Sequence, residues 1–214
     1  MELYSSEDEG GDFLLEVSNC FRGEESKDFG FLENHFLSKT LYDNLKLIYC
    51  QVAELSLSWY TKDTVDIFSK SEWLRNYQKE NNLGEGFIRE SLSGTINIVP
   101  YYEMFDRKKF DYLEKDGISY IPFDQHYSLE ACFKADGDTV QDNIYIFNTE
   151  DPDNIIDMKI GCIKYLELAY KAKLFFNWQY AYALKDSIHN ERLRKMLPVI
   201  FPFLELELND FLNK

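Results

Sequence analysis

Three aspartates, Asp136, Asp138 and Asp142, stand close together in the stretch ADGDTVQD. Carboxylates at this density can ligate a hard cation, carry out acid–base chemistry or offer negative charge to a basic partner. The stretch lacks the twelve-residue ligand spacing and closing glutamate of a calcium-binding EF-hand loop. Paired-carboxylate chemistry on sugars requires a cleft that sequence spacing does not reveal. Two readings remain, a solvated hairpin turn and a projecting loop that contacts a partner. We carry the three aspartates forward as candidate partner contacts, with no metal or cofactor assigned.

Other catalytic constellations are absent from the sequence. ESLSG at Glu90–Gly94 lacks the leading glycine of a nucleophile elbow. LGEGF carries two glycines without a phosphate-loop or dinucleotide pattern. The histidines His35, His126 and His189 lie far apart in sequence. Asp124, His126 and Ser128 have the residue types of a triad, but near neighbours on one strand rarely assemble that geometry. Glu205 and Glu207 alternate with leucines, as a solvated face would. These observations predict a protein without catalysis.

Charge narrows the partners. Thirty-eight acidic and 23 basic residues leave −15 over 214 residues. Nucleic-acid binding needs a positive footprint, which this composition lacks. A strongly negative surface attracts basic partners instead. Cys20, Cys50, Cys132 and Cys162 form no C-x-x-C pair and sit in apolar surroundings such as LIYCQV and LEACF. They read as reduced core thiols. The N-terminus lacks the basic and apolar regions of an export signal. The longest apolar run, LPVIFPFL, is far short of the ~18 residues of a membrane span. The expected location is the cytoplasm.

The elements that must position these residues follow from periodicity. Residues 1–35 form an acidic extension, 10 acidic against two basic residues, partly flexible at SSEDEGGD, with FLLEV as a short strand. Residues 36–214 form one domain. Leu41, Leu45, Ile48 and Val52 fall on one helical face, with Ser38 or Thr40 as its cap. Leu55, Leu57 and Trp59 alternate as in a half-buried strand. Asp63 to Asn81 is expected to be helical. TINIVP is a strand with Ile96 and Ile98 on one face, ended by Pro100, and YYEMF is one helical turn. GISYIPF, YSLEACFK and NIYIFN are strands separated by the loops KADGDTVQD and NTEDPDN, and IIDM is a last short strand. A helix follows with Ile163, Leu166, Ala169 or Tyr170, and Lys173 or Leu174 on its face. Pro198 and Pro202 are expected to break the C-terminal helices. The class is α+β: a mostly antiparallel curved sheet of five to six strands flanked by N- and C-terminal helices.

The aromatic stretch LFFNWQYAYAL holds Phe175, Phe176, Trp178, Tyr180 and Tyr182. Rings at this density are core material, with an aromatic ligand box as the alternative. Asn177 and Gln179 are placed to bridge a chain reversal.

The order of LSLSWY, GTINIVPYYEMF, PFDQHYSLEACF, NIYIF and KYLELAYKAKLFFNWQYAYA resembles the SUKH superfamily over roughly residues 38–190. The residues carrying that signature are Trp59, Gly94, Ile96, Ile98, Pro100, Trp178 and Gln179. QVAEL departs from the family pattern, which has a glycine turn before the Trp strand, and the acidic extension lies outside it. The resemblance implies a curved antiparallel sheet with flanking helices. It implies a non-catalytic immunity protein that occludes a cognate polymorphic toxin, such as a basic nuclease. A scaffold or regulatory subunit in cell-wall or signalling assembly is the alternative.

Overall fold

The computed structural model describes residues 13–14, 37–49, 55–61, 69–82, 84, 92–110, 112–126, 128–137, 139–184, 187–201 and 206–212. The regions expected around Cys20, His35, Cys50, Asp63 and Pro202, and Asp138 itself, lie outside these. Among the described residues the elements run β1 (Phe13–Leu14), α1 (Lys39–Tyr49), β2 (Leu55–Thr61), α2 (Glu72–Asn81), β3 (Ser93–Ile98), α3 (Tyr101–Met104), β4 (Leu113–Lys115) and β5 (Ile118–His126). They continue with β6 (Leu129–Asp136), β7 (Thr139–Asn148), β8 (Asp151–Asp157), α4 (Cys162–Lys171), α5 (Trp178–Ala183), α6 (Ile188–Ile200) and α7 (Asn209–Leu212).

The strands join in one antiparallel sheet of order β1-β2-β3-β5-β6-β7-β8, with β4 paired to β5 beside this path. The α+β expectation holds, and the eight strands exceed the five to six expected. One addition, β4, is announced by Asp116-Gly117. Both residues have positive φ (53° and 76°), the backbone of a tight hairpin turn that matches strand twist.

The two faces of the sheet differ. Leu57, Trp59, Ile96, Ile98, Ile121, Phe123, Phe133, Ile144 and Ile146 face the helices in the main core. On the other face Tyr120, Cys132 and Phe147 form a smaller cluster, with Leu113, Ile118, Tyr145 and Ile155 packed around it. The sheet curls over that cluster. Lys115 on β4 reaches Asp153 on β8, Nζ to Oδ1 3.1 Å, although three strands lie between them. At ~4.8 Å per strand a flat sheet would hold these residues about 19 Å apart.

The expected Ser38 cap and the Leu41–Leu45 face of α1 are present, and several other local expectations are corrected. Four described helices show why. In α1, Ser38 Oγ accepts from Leu41 N, and Leu41, Leu45 and Tyr49 are buried. In α2, Ser71 caps the N-terminus. In α4 the buried face is Cys162, Tyr165, Leu168 and Ala169, while Ile163 and Tyr170 are exposed. The buried stripe is rotated from the expected one because the Tyr165 hydroxyl finds a partner inside the core. In α6, Pro198 lies within the helix rather than ending it. The missing N–H is tolerated there because Leu193, Met196, Leu197 and Ile200 are buried along the same helix. The expected loops also shrink. KADGDTVQD turns only between Asp136 and Thr139, and the Asp151–Asn154 part of NTEDPDN already belongs to β8.

Candidate functional site

The aspartates of the β6–β7 hairpin separate in space. Asp136 is exposed at the end of β6, 3.4 Å from Lys134 Nζ. Asp138 lies outside the described residues. Asp142 is the fourth residue of β7 and turns toward the helices. Its Oδ1 accepts from Cys162 N at 2.9 Å, and its Oδ2 accepts from Asn44 Nδ2 at 2.7 Å. The carboxylate therefore caps the N-terminus of α4 from a neighbouring strand and ties it to α1. A negative charge is favourable there, where helix N–H groups lack partners.

The signature residues build the core. Trp59 pairs opposite Gly94 across β2 and β3. A side chain at Gly94 would collide with the Trp59 indole and the Leu174 carbonyl oxygen. The indole Nε1 donates to Lys173 O at 2.5 Å. Lys173 and Leu174 both have positive φ, and the chain that follows pairs with β3, Thr95 N donating to Leu174 O and Phe176 N to Ser93 O. Residues 174–176 thus occupy the flank of β3 where β5 is absent, since β3 and β5 register only at Ile98 and Asp124. Ile96 and Ile98 are buried on the helix face of β3, and Pro100 leads into α3.

At the fork between β3 and β5 sits Asp124, 1% exposed. Asn97 N donates to its Oδ1 at 2.7 Å and Tyr165 OH to its Oδ2 at 2.6 Å. Gln179 Nε2 donates to the Tyr165 oxygen at 3.0 Å, and Trp178 packs on the Tyr165 ring at 4.8 Å. Burial raises the Asp124 carboxyl, and His126, Tyr165 and Asn97 oppose that rise. Burial lowers His126, and Asp124 opposes it. Residue types with acid–base potential do meet here, but Asp124, Tyr165, Trp178 and Gln179 are all buried, and the cluster joins β3, β5, α4 and α5. Its hydrogen bonds tie β3, β5, α4 and α5 together at the fork, with Asn97 N bonded to the Asp124 carboxylate where no β5 ladder partner stands. Trp178 and Gln179 are core residues of this junction. Among the described residues no group of three or more His, Cys, Asp or Glu side chains is placed to hold a metal ion. Cys132 and Cys162 are buried free thiols, pushed upward by burial.

A concave site lies elsewhere. A groove of about 300 Å³ runs between the β7–β8 end of the sheet and helices α5 and α6. Asn148, Asp151, Asn154 and Ile156 line one side, and Asn177, Tyr180, Leu184 and His189 the other. Tyr180 and His189 stack, ring centroids 5.2 Å apart. Burial, with Arg192 adding to it, lowers His189 to about 4, so the ring is neutral near pH 7. Arg192 is itself buried; it donates to Phe176 O at 2.9 Å. Leu184, which lines the groove, is 40% exposed. Asp151, which lines it, and Glu150, its neighbour in the β7–β8 turn, are exposed.

Sequence reasoning treated His189 as isolated and the Asp151 region as a loop, and so missed this groove. Pro152 in TEDPDN was a usable signal, because proline within a sheet is confined largely to edge strands. In the antiparallel β6–β7–β8 meander the Asp136 turn and the Glu150 turn fall at opposite ends, so the two acidic groups form separate patches. Among the described residues no helix is long and apolar enough to cross a membrane. Compared with family models, curated proteins and solved structures, the chain matches none.

Proposed function

We propose that this chain is a non-catalytic binding protein that neutralises a basic protein partner by covering it, as the SUKH immunity proteins it resembles do with toxins. The observation that carries the reading is the concentration of acid on a strand and turn, one face of which lines a groove. From Asn148 to Asp157 there are four acidic residues and no basic one, and they sit on the last strand of the sheet and its turn. Charge of one sign on a partner-facing surface accelerates encounter with the opposite sign and disfavours wrong partners. The net charge of −15 supports a basic protein over nucleic acid as the partner. The polar cluster at Asp124 is consumed by the fold, which supports binding over catalysis.

The test is reconstitution. The full chain captures its partner from cells of its source, and the partner is then purified separately. The expected result is loss of the partner's toxic or nuclease activity on adding one equivalent of the chain. A partner that binds tightly yet keeps full activity would replace this reading with that of a scaffold. Turnover of a small substrate by the chain alone would replace it with that of an enzyme.

A further inference from the structure

Resting on that reading, we infer that the partner docks by strand addition: a basic, amphipathic extended segment pairs with the free edge of β8, placing apolar side chains in the groove and basic ones on the opposite face. Four observations carry this.

First, β8 ends the sheet; among the described residues it pairs only with β7. Apart from Pro152, which has no N–H, and the Asp153 carbonyl, which Lys115 already holds, its outer edge offers the backbone donors and acceptors that extended peptides use for main-chain hydrogen bonds.

Second, the two faces of β8 differ in chemistry. Ile156 lies opposite Ile146, a main-core residue, so Ile156 and Asn154 face the helices and line the groove. Ile155 packs on the other face, beside Tyr145 and Phe147. Asp153 and Asp157 share that face by strand alternation. A strand added to β8 would continue both faces. Its inward side chains would meet Ile156, Tyr180 and Leu184, and its outward ones would meet Asp153 and Asp157.

Third, the molecule already shows what this edge accepts. Lys115 Nζ donates to the Asp153 carbonyl at 2.7 Å and to its carboxylate at 3.1 Å. One basic side chain thus reads backbone and side chain of β8 together, the contact a partner lysine would make or take over.

Fourth, the charge selects against the other obvious occupant. Pairing β8 with β8 of a second copy would set Glu150, Asp151, Asp153 and Asp157 against the same four residues. Like charges opposite one another destabilise a strand pair, so the acids admit a basic strand and exclude self-association.

The probe is an end-blocked octapeptide alternating lysine and valine, labelled for fluorescence anisotropy with the full chain at low salt. Binding is expected, with protection of β8 amides from hydrogen exchange. The same peptide N-methylated at every residue keeps its charge but loses its backbone ladder donors on both edges. It should bind at least tenfold more weakly. Asp151→Lys/Asp153→Lys should weaken binding at least tenfold, and Leu184→Glu severalfold, while Glu80→Lys on α2 leaves it unchanged. Absence of binding, equal binding of the N-methylated peptide, or protection elsewhere without protection of β8 overturns strand addition. The captured partner separates this from the broader reading. If the Asp151→Lys/Asp153→Lys chain still neutralises it at one equivalent, docking on β8 is refuted and neutralisation stands.

Discussion

Asp142 offers a sharp test of how a surface-looking acid is used. Its carboxylate accepts from Cys162 N at the first turn of α4 and from Asn44 Nδ2 on α1. In Asp142→Ala both bonds vanish. Loss of an N-terminal capping oxygen costs about 0.5–2 kcal/mol. A hydrogen bond to a charged acceptor contributes about 1.5–3 kcal/mol, and here the Asn44 amide is left part-buried without it. The two overlap in one side chain, so the expected total is about 2–4 kcal/mol. For a chain of this size that lowers the melting temperature by roughly 4–16 °C. Asp136→Ala is the internal comparison. Asp136 is exposed with a single surface ion pair, and its loss should change stability by no more than about 0.5 kcal/mol. Urea unfolding followed by circular dichroism measures both, with the slope checked for constancy so that the midpoint shift reports stability. If Asp142→Ala and Asp136→Ala unfold at the same midpoint, the cap from β7 onto α4 contributes nothing and the reasoning fails. A variant reversing both aspartates is therefore a folding experiment as much as a binding one.

Trp178 is fully buried against Tyr165, so Trp178→Ala should lose ~3–5 kcal/mol and express largely as insoluble protein; an unchanged melting temperature would contradict its core role. Gly94→Ala should cost ~1–3 kcal/mol by overpacking against the Trp59 indole and the Leu174 carbonyl, read as a lower urea midpoint. His189 titrates at about 4 when folded against 6.5 for the free side chain. The unfolded chain therefore binds more protons in this window, and this stabilisation is present above pH 6.5 and lost as pH falls toward 4. Allowing for partial exposure, about 1–2 kcal/mol should disappear over that range. In His189→Gln the corresponding slope of stability against pH should be absent, and identical slopes would refute the assignment.

Elements whose signal lies in their own residues were legible in the sequence. The alternation of Leu57 with Trp59 and of Ile96 with Ile98 reports strands with one buried face, because side-chain direction reverses at every residue. The cap at Ser38 and the aromatic core at Trp178 are local in the same sense. Features that depend on partners distant in sequence were not legible. Asp142 reads as a turn carboxylate until Asn44 and Cys162, 98 and 20 residues away, turn it inward. The buried face of α4 is rotated because Asp124 on β5 awaits the Tyr165 hydroxyl. The groove exists only because α5 and α6 fold back beside the end of a curled sheet, bringing Tyr180 and His189 opposite Asp151 and Asn154. Sequence spacing fixes which side chains leave an element together. Which of them meets a partner across the core depends on curl, register and helix docking, and these are set by the packing of all the elements at once.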